Sequence, residues 1–143
     1  MPLSAETALL SLIDERLSAG RPLPLAIDGC CAAGKTTLAL RLQQRYGCPV
    51  FHADDYFLQP HQRPPQRLSQ AGGNMDRERL LQEVLLPLSR GEDVVFRRFD
   101  CSAMALRPPV RVPYVPFQIV EGTYCMHPEL APYYTASVFL RIS

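Results

Sequence analysis

Three observations on this 143-residue chain predict an α/β fold, a mainly parallel sheet with helices on both faces. Short apolar runs alternate with segments of helical periodicity. The stretch Gly29-Cys-Cys-Ala-Ala-Gly34-Lys35-Thr36 joins the first apolar run to a periodic segment. Acidic residues follow two other apolar runs, at Asp54, Asp55 and Glu121, and ligands gather beyond the carboxyl ends of parallel strands.

The elements follow in order. Ala5, Leu9, Leu12, Ile13 and Leu17 repeat at helical spacing, and Gly20 stands as a C-terminal stop. Pro24 to Asp28 reads as a strand, and Lys35 to Tyr46 as a helix closed by Gly47. Pro49 to His52 reads as a second strand, followed by a polar, proline-rich connection up to Gly72-Gly73. A connection of that length is more often functional than idle. Leu80, Leu81, Val84, Leu85 and Leu88 predict a helix after Asp76, which Pro87 should bend or finish. Val94 to Phe96 reads as a small strand and Phe117 to Val120 as another. Pro128 to Tyr134 reads as a short helix and Ser137 to Ile142 as a final strand. The proline clusters at Pro60 to Pro65 and Pro108 to Pro116 read as loops. No internal repeat is visible. The chain stops on an apolar strand with no helix to cover it, which reads as a fragment cut at its C-terminus.

Composition bounds the function. The length allows one ordinary domain, residues 1–143, and 47% hydrophobic against 20% charged residues suits a folded globule. A net charge of +1 provides no global field for nucleic acid or an anionic membrane, and no run reaches the ~18 apolar residues of a membrane span. Five cysteines without a C-x-x-C pair suggest neither a disulfide framework nor a zinc knuckle. The N-terminus lacks the pattern of a signal peptide, so the expectation is a cytoplasmic protein with reduced thiols. Homo-oligomerisation is left open.

The glycine motif carries the chemistry. G-x-x-x-x-G-K-[ST] between a strand and a helix lets backbone N–H groups and the helix N-terminus cradle phosphates. Lys35 adds a full positive charge, and Thr36 offers its hydroxyl to Mg²⁺. Lys35 is also the sole lysine among 15 basic residues. It stands where a slim ammonium can reach between phosphates and a forked guanidinium would not fit. The bland alternative is a glycine turn that merely joins strand to helix. Cys30 and Cys31 read as small residues at open positions of the motif rather than as redox groups.

Phosphoryl transfer needs a carboxylate to orient the acceptor hydroxyl and an acidic group near the metal. Asp54 or Asp55 and Glu121 fill those roles, although aspartate also caps turns. Asp28, before Gly29, suits turn-making equally well and is left undecided. His52, His61 and His127 show no metal-ligand spacing, and Arg97, Arg98 and the arginines from Arg63 to Arg67 read as solvated unless the fold brings them to the site.

With these residues in hand, the sequence resembles the uridine kinase-like branch of P-loop kinases, related to phosphoribulokinase and bacterial pantothenate kinase. Four blocks carry the likeness: Ile27 to Thr37, His52 to Pro60, Gly72 to Leu80 and Ile119 to Pro128. The resemblance implies a P-loop NTPase three-layer fold and an ATP- and Mg²⁺-dependent transfer to a primary hydroxyl of a nucleoside, uridine or cytidine. Another acceptor such as pantothenate, or an ATP-binding module without turnover, are the alternatives. It implies that Gly29, Cys30, Cys31, Ala32, Ala33, Gly34, Lys35, Thr36 and Thr37 bind nucleotide. Asp55 accepts the hydroxyl proton beside Lys35, and Thr36 and Glu121 stand at Mg²⁺. Asp76, Phe57, Phe99 and Asp100 belong to the acceptor pocket. Where the pattern has a histidine shortly after the aspartate, this chain reads Met104. Relatives continue into an arginine-bearing lid, before which this chain ends.

Overall fold

The computed structural model describes residues 3–29, 34–56, 58, 60–70, 73, 75–100 and 102–140. Helix α1 (Leu3–Ser18) leads into β1 (Leu23–Gly29), and α2 (Lys35–Tyr46) is the next element described. Next come β2 (Val50–His52) and a 3₁₀ turn at Ala53–Asp55. After α3 (Pro65–Leu68), one continuous helical rod runs through α4 (Arg77–Leu80), a π turn (Leu81–Leu85) and α5 (Leu86–Ser89). The strands β3 (Val94–Phe96), β4 (Phe99–Asp100), β5 (Ala105–Leu106) and β6 (Val110–Val112) precede β7 (Phe117–Glu121) and β8 (Ala136–Leu140).

Four strands form the central sheet in the order β2-β7-β1-β8, all neighbours parallel. β1 and β7 lie inside it, so both of their faces must be covered. Their sequences are accordingly apolar almost throughout rather than alternating. Leu23, Leu25, Ile27, Phe117 and Ile119 pack against Leu9 and Ile13 of α1 and Leu38 and Leu42 of α2. Ala26, Phe51 and Val120 point the opposite way, onto Leu80, Val84, Leu85 and Leu88 of the helical rod. The period-2 alternation of each strand thus divides the core into two layers. α1 is also tied to α2 by polar contacts: Arg41 donates to Glu6 at 2.9 Å, and Tyr46 to Asp14 at 2.8 Å.

Several expectations need correction. The helix expected to bend or finish at Pro87 continues two residues beyond it, to Ser89. Proline lacks the N–H for the ladder and its ring crowds the carbonyl four residues back. The π turn directly before it widens the helix there. Val94 to Phe96 does not join the main sheet but pairs antiparallel with β6. β6 itself lies inside the proline cluster read as a loop, and β4 with β5 makes a second small antiparallel pair. Prolines on every side of Val110–Val112 hide a strand that is only an edge. Pro128 to Tyr134 contains only a 3₁₀ turn, Ala131–Tyr133.

Candidate active site

The site grows from the carboxyl ends of β1, β2 and β7. Gly34, just before α2, has φ 95°, and nothing lies within 4 Å of where a Cβ would stand, so backbone is exposed at the helix N-terminus. Lys35 is buried to 9% exposure, and its Nζ donates to the Gly29 carbonyl at 3.1 Å, folding the ammonium back over the start of the loop. Cys30, Cys31, Ala32 and Ala33 lie outside the described residues.

Gly122 brings the second side of the site into place. Its φ is 145°, and a Cβ there would stand 2.5 Å from the Ala53 Cβ. Only glycine lets the loop after β7 approach the turn after β2 this closely. Glu121 and Asp54 consequently share one cavity of about 430 Å³ with Gly34 to Thr37 and Thr123. Thr123 also donates from its hydroxyl to the Gly29 carbonyl at 3.3 Å.

Glu121 is 4% exposed, and its Oε1 lies 2.5 Å from His52 Nδ1, directly across the β2–β7 ladder. This bond holds the His52 imidazole above its ordinary pKa. Burial opposes the shift, Asp55 adds to it and Arg98 counters it. Asp54 is exposed and has no hydrogen bond or ion pair among the described residues. Asp55, in the same turn, faces elsewhere: its Oδ2 accepts from Arg98 Nε at 3.2 Å. Of the two adjacent aspartates, Asp54 lines the cavity beside Gly34 to Thr37, and Asp55 is turned toward Arg98.

The remaining acids are engaged by the protein itself. Asp28 Oδ1 accepts from the Gly29 and Tyr124 amides and Oδ2 from the Met126 amide, so its carboxylate moors the loop after β7 to the end of β1. The turn-making reading of Asp28 is the one the structure favours. Asp76 is 2% exposed and caps α4, its Oδ1 accepting from the Arg79 amide at 3.2 Å and its Oδ2 from Arg79 Nε at 3.3 Å. Asp100 Oδ1 accepts from the Ser102 and Ala103 amides, and its Oδ2 lies 3.5 Å from Arg107. Phe99 is buried beneath the Arg63 guanidinium, 5.7 Å from the ring centroid. Phe57 lies outside the described residues.

Arg79 is the residue sequence reading missed. Buried to 8% exposure, it stacks over Tyr56 at 4.3 Å and donates to the backbone carbonyls of Asp55 and Arg97 as well as to Asp76. It fixes the Ala53–Asp55 turn against α4 and the strand segment before β4. Nothing in its spacing announces this, because its partners lie far apart in the chain. His52 carried a weak signal, its position at a strand end two residues before Asp54.

Can these residues hold a nucleotide and Mg²⁺? Thr36, Asp54 and Glu121 place hard oxygen donors around one cavity at a helix N-terminus. Among the described residues, no group of three or more His, Cys, Asp or Glu side chains could hold a metal ion. Mg²⁺ is usually bound by one or two carboxylates plus substrate phosphates, and Asp54 and Glu121 offer two carboxylates at the cavity. The residues fit.

No family model matches the chain, and neither does any curated protein. Solved structures do. A protein described as a possible uridine kinase from Bacillus stearothermophilus aligns over 83% of this chain and 70% of its own, with a TM-score of 0.70 at 23% identity. A candidate fructose transport system kinase from Silicibacter aligns over 95% of this chain and 74% of its own, with a TM-score of 0.71 at 25% identity. The chain therefore has the fold of these kinase structures, which fits the resemblance of its motifs to uridine kinase-like P-loop kinases.

Proposed function

We propose that this chain is the core of an ATP-dependent phosphotransferase acting on a hydroxyl of a small metabolite. One observation carries the reading: a phosphate-loop helix N-terminus, Lys35, Thr36 and the carboxylates of Asp54 and Glu121 converge on a single cavity, with Asp55 next to Asp54 in the same turn. Bound ATP·Mg²⁺ would supply the phosphoryl group and neutralise part of its charge. The backbone at Gly34 and the α2 terminus offer partial positive charge to phosphate oxygens, and Lys35 adds a full one. Glu121, held by His52, and Asp54 present oxygens on the metal side. Asp55 keeps Oδ1 without a hydrogen bond among the described residues and can accept the proton of an incoming hydroxyl. Positioning and electrostatics of this kind account for most of phosphoryl-transfer catalysis.

The motif resemblance points to uridine or cytidine as acceptor, while one of the fold neighbours carries a sugar in its name. A coupled ADP-release assay with uridine, cytidine and fructose tests the reading. Acceptor-dependent ADP release that Lys35→Ala abolishes supports it. Calorimetric ATP·Mg²⁺ binding without release for any hydroxyl acceptor would favour a binding module.

A further inference from the structure

The carbonyl of Gly29, at the end of β1, is bonded by side chains where the sheet stops. Earlier on that side of the strand the backbone of the β7 segment supplies the donors, and the Ile27 carbonyl accepts from the Gly122 amide at 3.0 Å. Evenly spaced parallel pairing would bring the Tyr124 amide to the Gly29 carbonyl two residues on. The chain has turned by then, and that amide donates to Asp28 Oδ1 at 3.1 Å instead. Two side chains take its place: Lys35 Nζ lies 3.1 Å from the Gly29 carbonyl and the Thr123 hydroxyl 3.3 Å. Both side chains also line the cavity that holds Asp54 and Glu121.

The two donors differ in what nucleotide binding asks of them. A phosphate-loop lysine acts at phosphate oxygens, so the Lys35 ammonium must turn from Gly29 into the cavity. Gly29 is buried, and a buried carbonyl left without a donor costs free energy comparable to a lost hydrogen bond. That cost would oppose binding. The Thr123 hydroxyl already stands on the same carbonyl, whose two lone pairs accommodate both donors at once.

We infer that Thr123 is a positioning residue for Lys35, keeping the Gly29 carbonyl bonded while the ammonium moves between that carbonyl and the phosphates. Thr123 acts through Lys35 and contacts neither the phosphates nor the acceptor. Its hydroxyl is the group required: serine retains the donor, whereas valine of nearly the same shape lacks it. The inference rests on the nucleotide-binding reading above.

Two measurements test it. The first is calorimetric titration with a non-hydrolysable ATP analogue and Mg²⁺. Thr123→Val should bind it ~5- to 100-fold more weakly than the wild type, the weight of one stranded buried carbonyl, and Thr123→Ser should bind it nearly as well as the wild type. The second is urea unfolding without nucleotide, as a double-mutant cycle with Lys35→Met. Each single variant leaves the Gly29 carbonyl one donor, and the double variant leaves it none. The unfolding constant of the double variant should therefore rise ~5- to 100-fold beyond the product of the single effects. Wild-type affinity in Thr123→Val, or an equal loss in Thr123→Ser, overturns the inference. Weak analogue binding by Thr123→Val beside purely additive unfolding effects would make Thr123 a direct nucleotide contact, which rejects the inference and keeps the kinase reading. Non-additive unfolding in a wild-type protein that binds no analogue would keep the shared carbonyl, and would reject both the nucleotide reading and the movement of Lys35.

Discussion

Asp28 at the end of β1 and Met126 in the loop after β7 are 98 positions apart, and the Met126 amide donates to Asp28 Oδ2 at 3.0 Å. Together with the bonds from Gly29 and Tyr124 to Oδ1, this carboxylate sets the relation between the start of the phosphate loop and the segment carrying Glu121 and Thr123.

Asp28→Asn tests that mooring. An amide can serve Gly29 and Tyr124 through its oxygen, but its NH₂ then faces the Met126 N–H, leaving a buried donor unsatisfied. The expected loss is ~1–3 kcal/mol of stability, read from urea unfolding. Full stability with abolished turnover would instead make Asp28 a catalytic group.

Lys35→Ala should remove most ATP affinity, because it deletes the full positive charge of the phosphate loop. Since the chain has no other lysine, an ATP-shaped acylating reagent should label Lys35 and otherwise only the N-terminal amine. Mass spectrometry checks this, and labelling that excess ATP does not suppress counts against the site.

The neighbouring aspartates should separate by role. Asp55→Asn should lower turnover by ~10² to 10⁴, the usual weight of a positioned general base, with ATP binding little changed. Asp54→Asn should instead raise the Mg²⁺ concentration needed for half-maximal turnover, since Asp54 is the member lining the cavity with Glu121. Steady-state kinetics over a Mg²⁺ series, with calorimetric ATP titrations, decide it. Wild-type turnover in Asp55→Asn and loss in Asp54→Asn would exchange the two roles.

Arg67 grips Glu78 with two hydrogen bonds, at 2.6 and 2.8 Å, while also donating to the Gly73 and Met75 carbonyls. The Arg67 bond holds the Glu78 carboxyl below its ordinary value of 4.5. A carboxylate with a depressed folded-state pKa stabilises above its unfolded pKa and loses that contribution as pH falls through the folded value. Glu78 is 57% exposed, so the pair contributes at most ~1 kcal/mol. Glu78→Gln should therefore unfold at lower urea than the wild type at pH 7, and the gap should close in acid below the ordinary glutamate range. A gap independent of pH would assign the effect to packing.

Much of the fold and part of the site were legible in one dimension. Buried parallel strands must be apolar on both faces, so β1 and β7 appear as continuous runs, and α2 is bracketed by Gly34 and Gly47. The phosphate loop is local in sequence because its chemistry uses consecutive backbone amides and the first turn of one helix. Asp54, Asp55 and Glu121 could be placed at strand ends because strand direction in a parallel sheet sends them to one edge. Which of them face the cavity was decided by tertiary structure. A 3₁₀ turn points Asp54 and Asp55 in different directions, and the close approach of Gly122 to Ala53 selects the one that meets Glu121. The commitments of Asp28, Asp76 and Asp100, and the reach of Arg79 and Arg98, depend on partners that spacing cannot reveal. Hydrogen bonds across tens of residues follow from how the layers pack, whereas period and motif record only what each segment does with its immediate neighbours.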